Sequence, residues 1–476
     1  MKYEVRLELN IPQYMNDVQE IVRAFNPHIS IVTTSNNYIN LNVIESNETI
    51  SVVISSNLKN SVTSNKAFSE YRKDEYKRQT KRYVKNLLYI FCKSLVDVDM
   101  PYGSLTGVRP TKLVYDAIDI KCNMQEYLMN TFYVSKDRAD LICNTVKGQT
   151  GIRKYNKKAV DIFVNIPFCE GRCKYCSFIS TEISGIRKRI PDYINALCTE
   201  LDSITKLIDR QKLNVRSIYV GGGTPTVLTA SQLEKILVVF DKYKCEFTVE
   251  AGRADSIEYD KLKLLKEVGV TRISINPQTF NDKTLLNLNR GHTVKDVYDK
   301  FSMAREFDFD INMDLIVGLM GETSADFKHS IDSILELKPE NITIHTLALK
   351  RGSNYKNSGL LKETDGMALE STNCANKLLS KKGYFPYYLY RQKNTADNLE
   401  NVGYTVPEKA CLYNVDYMEE TISCLATGAG AMSKIIFVDE NRIERFHNPK
   451  GFNDYLDRYY ECIERHEKLI NLVANQ

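Results

Sequence analysis

The sequence predicts an α/β protein centred on a partial (β/α)6 barrel, with an N-terminal α+β region and a C-terminal mixed extension. Three observations predict it. Between residues 160 and 350, six short β-branched or aliphatic runs alternate with single amphipathic helical stretches, the pattern of βα units joined into a parallel sheet. Six such units, without a strong seventh and eighth, are too few for a closed eight-stranded barrel. Glycine-rich and polar residues gather at the ends of these runs, where barrel chemistry sits.

The chain has 476 residues, with 64 Lys+Arg against 60 Asp+Glu and a formal charge of +4. At roughly 100–200 residues per domain this length carries two to four domains, divided here as 1–155, 156–355 and 356–476. With 43% hydrophobic and 26% charged residues the chain is too apolar to be disordered. Charge so near balance argues against a nucleic-acid partner. The longest apolar runs, Leu87–Cys92 and Ile236–Phe240, fall short of the ~18 residues of a membrane span. Met1–Arg6 alternates charge with apolar residues, unlike a signal peptide. A cytoplasmic monomer is expected.

In chain order, β-like runs at Tyr3–Leu9, Tyr38–Ile44 and Ile50–Ile54 precede a charged helical segment, Glu70–Lys93, whose seven Lys/Arg between Arg72 and Lys85 read as a solvated face. Gly103–Lys112 reads as a loop entering a helix. The six barrel runs are Asp161–Ile166, Ser217–Val220, Glu246–Glu250, Thr271–Ile275, Ile311–Ile316 and Ile342–Leu347. Between them, Ala325–Leu337 places Phe327, Ile331, Ile334 and Leu335 on one helical face and stops at Pro339. A second helix, Ser256–Val268, is expected behind Asp255 as N-cap and closed by Gly269. The aromatic run Tyr384–Tyr390, Arg391–Tyr404 and Gly428–Ala431 mark the extension.

Nine of the twelve cysteines stand singly and read as small buried hydrophobes. Cys169, Cys173 and Cys176 instead form C-x3-C-x2-C in one loop after the first run. A structural zinc site needs four ligands, and no histidine lies between His28 and His292. Three thiolates suit a [4Fe–4S] cluster with one iron open to a small molecule. Gly221-Gly222-Gly223-Thr224 follows the second run. Glycines there let backbone groups approach a ligand, and a helix N-terminus favours a carboxylate. Glu250, Gln278, Arg290 and Asp314, at successive run ends, suit ribose hydroxyls, an ammonium and a carboxylate.

These residues resemble the radical S-adenosylmethionine (radical SAM) enzymes, whose signature is this cysteine spacing with an aromatic, here Tyr175, before the last Cys. The closer resemblance is to the oxygen-independent coproporphyrinogen III oxidases, carried by Ile166-Pro-Phe-Cys169, the triple glycine, Thr248–Gly252, Ser274–Gln278, Asn289–His292, Asn312–Leu315 and His345–Ala348. It implies a [4Fe–4S] cluster on the three cysteines. It also implies S-adenosylmethionine (SAM) held by Phe163, Tyr175, Gly222, Gly223, Thr224, Glu250, Gln278, Arg290, Asp314 and Ala348. A 5′-deoxyadenosyl radical would convert two propionates of coproporphyrinogen III, or a related tetrapyrrole, to vinyl groups. The implied electron donor is a flavodoxin or ferredoxin. Arg391 and Lys393, with Arg109 and Lys112, are candidate cations for the propionates; no catalytic residue is assigned.

The chain departs from the oxidase pattern three times, with Phe163 for a Tyr, Asn165 for a His and Phe178 for a fourth Cys. Two rival readings are a haem-binding radical SAM-like chaperone, with which Phe178 is compatible, and a radical SAM methyltransferase that opens haem.

Overall fold

The computed structural model describes residues 2–26, 28–46, 49–67, 73–119, 121–178, 180–350, 353 and 366–476. They fall into two units, Met1–Cys143 and Asn144–Gln476; the boundary expected at 355/356 lies outside the described residues.

Period-two alternation builds the first unit. In β3 (Tyr38–Glu45) Ile39, Leu41 and Val43 are buried, and in β4 (Thr49–Ser56) so are Ile50, Val52 and Ile54. With β1 (Tyr3–Leu9), β2 (Ile29–Ile31) and β5 (Val62–Ala67) they form a sheet of order β2-β1-β3-β4-β5. β1 is parallel to both neighbours, and β3, β4 and β5 are mutually antiparallel. The helix Met15–Ala24 adds Val18, Ile21 and Val22 to the same core, and the helix Lys73–Val96 adds Leu88 and Phe91. Glu70–Arg72, expected in that second helix, lie outside the described residues. Gly103–Lys112 leads into a helix at Thr111–Asp119, as its turn chemistry predicts.

The second unit is the predicted α/β arc. Six strands are successively parallel: β6 (Ala159–Ile166), β9 (Asn214–Gly222), β10 (Glu246–Glu250), β11 (Arg272–Ser274), β12 (Asp310–Val317) and β13 (Asn341–Thr346). Helices including Ile190–Arg210, Ala230–Leu237, Tyr259–Glu267, Val294–Arg305 and Ser324–Leu337 connect them. Between β6 and β9, the short pair β7 (Phe168–Cys169) and β8 (Thr181–Glu182) runs parallel across the cysteine loop. Thr323 caps Ser324–Leu337 in a reciprocal bond with Asp326, and Lys338 ends it in the left-handed region before Pro339.

Three local expectations are corrected. The helix expected from Ser256 starts at Tyr259, and Asp255 does not cap it; its carboxylate is taken by Arg253, Nη2 to Oδ2 2.6 Å. The glycines expected after the second run belong partly to β9, which continues through Gly222. Of the nine single cysteines, Cys92, Cys143, Cys411, Cys424 and Cys462 are buried, but Cys122 is exposed and the rest are half-buried.

The C-terminal region extends the arc at both ends. β14 (Phe385–Arg391) and β15 (Glu400–Thr405) add antiparallel beside β13, while β16 (Ser423–Thr427) returns to pair parallel with β6, followed by β17 (Met432–Phe437) and β18 (Arg442–His447). The N-terminal ends of the parallel strands close with polar pairs. Ser217 Oγ donates to Asp161 at 2.6 Å, and Arg272 reaches Glu246 at 2.6 Å and Asn341 at 2.9 Å. That floor leaves the C-terminal ends free to carry a site. Among the described residues no helix is long and apolar enough to cross a membrane.

Candidate active site

A cavity of about 350 Å3 lies at the C-terminal strand ends. The cysteine loop forms one side. Cys169 is fixed by the β7–β8 pairing, Lys174 N donates to Leu288 O at 3.1 Å, and Asn289 Nδ2 donates to Arg172 O at 3.1 Å. All three thiols line the wall with Tyr175. Thr224 Oγ1 lies 3.6 Å from Cys169 Sγ, while Arg253 Nη1 and Arg290 Nη1 each stand 3.7 Å from Cys173 Sγ. Burial pushes the Cys169 and Cys176 thiols up, and a bound metal centre would favour their thiolate forms.

The opposite wall comes from strand ends. Gly222 adopts φ +114°, and a Cβ there would strike Asn165 Oδ1; one on Gly223 would strike the Phe168 carbonyl. Only glycine lets β9 lie this close to the cysteine loop and still expose its backbone to the cavity. Gln278, also left-handed at φ +69°, is held by its N–H on Asp314 O and its carbonyl under Ile316 N, both 2.9 Å. Those two bonds hold the left-handed backbone in place, with the side chain at the wall.

Two carboxylates there are pushed in opposite directions, so they titrate in different pH ranges. Glu250 accepts from Tyr219 Oη at 2.6 Å and Gly222 N at 3.3 Å. Burial pushes it up to about 7, against the Tyr219 hydrogen bond. Burial would also raise Asp314, but His345 Nε2 at 3.4 Å and Asn312 Nδ2 at 2.8 Å hold it below the usual carboxylate range. Burial alone would lower His345; the Asp314 partner raises it instead.

The wall also contains Arg290 and Ala348. Phe163 is not part of it, but stacks on Tyr219, ring centroids 6.2 Å apart, and on Tyr413 at 6.1 Å. Nor do Arg391 and Lys393 line it. Tyr388, Tyr390 and Gln392 do, so alternation along β14 turns Arg391 to the other face, where its Nη2 donates to Asn398 O at 3.1 Å. Lys393 is exposed. Arg109 and Lys112 belong to the first unit. Asn165 is tied to the C-terminal region, its amide donating to Ala429 O and its carbonyl accepting from Tyr193 Oη at 2.8 Å. Phe178 is 68% exposed at the cavity edge.

Sequence reasoning missed roles for Tyr219, Asn312, His345 and Arg253. The first three carry a recoverable signal, since period two along β9, β12 and β13 faces them inward with Gly221, Asp314 and Thr343. Arg253, in a short turn, carries none.

The residues fit an iron–sulfur cluster and a polar ligand beside it. The three thiols line one wall of the cavity, and three protein thiolates suit a [4Fe–4S] cluster with one iron left open. Ser274 Oγ, Asn276 Oδ1 and Gln278 Oε1 are buried in that wall without a partner, an arrangement a bound ligand satisfies.

Comparisons with known proteins agree. The Radical SAM superfamily model matches residues 164–334. The oxygen-independent coproporphyrinogen-III oxidase-like protein HemZ of Bacillus subtilis (strain 168) is 34% identical over 424 residues, 84% of each chain. The heme chaperone HemW of the same strain is 36% identical over 202 residues, 41% of this chain and 52% of the chaperone, so the match spans about half of that relative. A solved structure of coproporphyrinogen III oxidase (HemN) from Escherichia coli aligns at 21% identity over 66% of this chain and 72% of its own, with a TM-score of 0.49. A radical SAM domain brings with it a [4Fe–4S] cluster and SAM. The chain belongs to the radical SAM superfamily and, within it, to the family of HemZ, the oxygen-independent coproporphyrinogen-III oxidase-like proteins.

Proposed function

We propose that this chain is an oxidoreductase that converts propionate side chains of coproporphyrinogen III, or a closely related tetrapyrrole, to vinyl groups. The observation that carries this reading is one cavity whose wall runs from the three thiols, past Glu250 and Asp314, to the aromatic face of Tyr388 and Tyr390. The name of the 34%-identical relative supports it. When bound, the cluster and SAM supply a 5′-deoxyadenosyl radical that takes a hydrogen atom.

The chain's own groups hold and orient. Cys169, Cys173 and Cys176 hold the cluster. Gly222, Gly223 and Thr224 offer backbone and hydroxyl groups to an amino-acid moiety, whose ammonium Glu250 accepts. Asp314, kept ionised by His345, and the unpartnered Gln278 Oε1 receive hydroxyl and amino donors. Tyr388 and Tyr390 give a flat apolar surface that excludes water from the reacting carbon. Each of the two propionates converted then loses one hydrogen atom, carbon dioxide and one electron, the last to an external acceptor. We assign residues 356–476 to covering the substrate and 1–155 to an accessory domain, and propose a monomer that receives its electron from a flavodoxin or ferredoxin.

A second reading, haem delivery, is supported by the 36% identity to a heme chaperone over 202 residues, and Phe178 is compatible with it. Anaerobic incubation of the reconstituted protein with SAM, reductant and coproporphyrinogen III separates the two. Vinyl product with stoichiometric 5′-deoxyadenosine supports the oxidase. Tight haem binding without SAM cleavage replaces it with delivery.

A further inference from the structure

The segment Asn289-Arg-Gly-His292 does more than supply Arg290. Its first residue ties the cysteine loop through Arg172 O at 3.1 Å. Arg290 donates toward Cys173 Sγ at 3.7 Å and Tyr175 Oη at 3.3 Å. Gly291 leaves space, because a Cβ there would strike Asp255 Oδ2 and come within 2.9 Å of Arg253 Nη2. His292 Nδ1 stands 3.8 Å from Asp255 Oδ1. In that space Asp255 grips Arg253 with both oxygens, Nε–Oδ1 3.0 Å and Nη2–Oδ2 2.6 Å. The fork leaves Nη1 directed at Gly171 O, 3.3 Å, and Cys173 Sγ, 3.7 Å. Arg253 is 5% exposed. A buried guanidinium in a fixed bidentate grip is a positioned charge, and here it stands on one cysteine of three.

We propose that Arg253 is a positioning residue that sets the reduction potential of the cluster, and that Asp255, given room by Gly291, aims it. With Arg290 it places two charged N–H donors at the Cys173 sulfur, whereas the Cys169 sulfur meets the neutral hydroxyls of Thr224 and Ser180. Donors to cluster sulfurs and nearby positive charge favour the reduced, more negative state. The pair therefore biases an added electron toward the Cys173 side. This inference rests on the cluster that the family carries, not on which tetrapyrrole is used, so its failure leaves the substrate reading standing.

The test is an EPR-monitored redox titration of the anaerobically reconstituted full chain. Arg253→Gln shifts the midpoint potential negative, and Arg253→Lys, which keeps the charge, recovers part of that shift. A midpoint unchanged in Arg253→Gln overturns the proposal, and so does an equal shift in both variants, which would report shape rather than charge. Should Arg253→Gln not assemble a cluster, Gly291→Ala displaces the Arg253–Asp255 pair without removing its charge. A negative shift in that variant supports the proposal, and an unchanged midpoint overturns it.

Discussion

Replacing Glu250 with Gln separates the folding contribution of that carboxyl from its binding role. An ordinary glutamate titrates near 4.5, and Glu250 is pushed up to about 7. The difference corresponds to about 3 kcal/mol, at roughly 1.4 kcal/mol per tenfold change in proton affinity. This is an upper bound, because one side of Glu250 faces a cavity that water enters. The sign follows from proton linkage: between 4.5 and about 7 the unfolded chain has lost the proton that the folded chain keeps, so native stability falls as pH rises through that window. Glutamine keeps the shape without the charge, its oxygen accepting from Gly222 N while its NH2 donates to the Tyr219 hydroxyl oxygen. Urea denaturation of the apoprotein should therefore find Glu250→Gln equal to wild type near pH 4.5 and more stable, by up to about 3 kcal/mol, above pH 7. In equilibrium dialysis the same variant binds SAM roughly ten- to a hundredfold more weakly, the worth of one charge-assisted hydrogen bond. Wild-type affinity rises through pH 7, and the variant's affinity stays flat. A variant less stable than wild type at pH 8, or a stability difference independent of pH, refutes the reasoning.

Other outcomes follow from the same geometry. Gly223→Ala, whose Cβ meets the Phe168 carbonyl, should cost about 2–4 kcal/mol in urea denaturation and lower SAM affinity. His345→Asn leaves burial to act on Asp314 and should move the acid limb of the pH–activity profile toward neutrality, as read by 5′-deoxyadenosine release between pH 5 and 8. Arg391→Ala should lower stability by about 1 kcal/mol through the lost bond to Asn398 O and leave tetrapyrrole affinity unchanged. Tyr390→Ala, by contrast, should weaken that affinity, measured by fluorescence quenching with a metal-free porphyrin.

Much of the barrel was legible in the sequence because its information is local. Six apolar runs with single helices between them specify parallel βα units whatever lies elsewhere, and C-x3-C-x2-C brings three thiols together within one loop. Glu250, Gln278, Arg290 and Asp314 could be placed for the same reason, since each closes or follows its own strand. What escaped depends on distant partners. Nothing near Ser423–Thr427 says that this strand pairs with Ala159–Ile166, more than 250 residues earlier. The face on which Arg391 lies depends on the register of β14 against β15, which shifts between Pro386 and Tyr388. Asp255 has the right chemistry for an N-cap, but a buried arginine two residues away is the stronger partner. The role of Arg253 needs the Asn289–His292 segment folded over it, and no local periodicity records that.

The central claim is that Cys169, Cys173 and Cys176 hold one cluster with a corner open to SAM. It is tested most directly by iron and sulfide analysis with EPR of anaerobically purified protein, wild type beside Cys173→Ser. The account predicts about four iron and four sulfide per chain, a reduced-state signal that changes on adding SAM, and loss of both in the variant. A zinc-loaded wild type, or a signal indifferent to SAM, would contradict it.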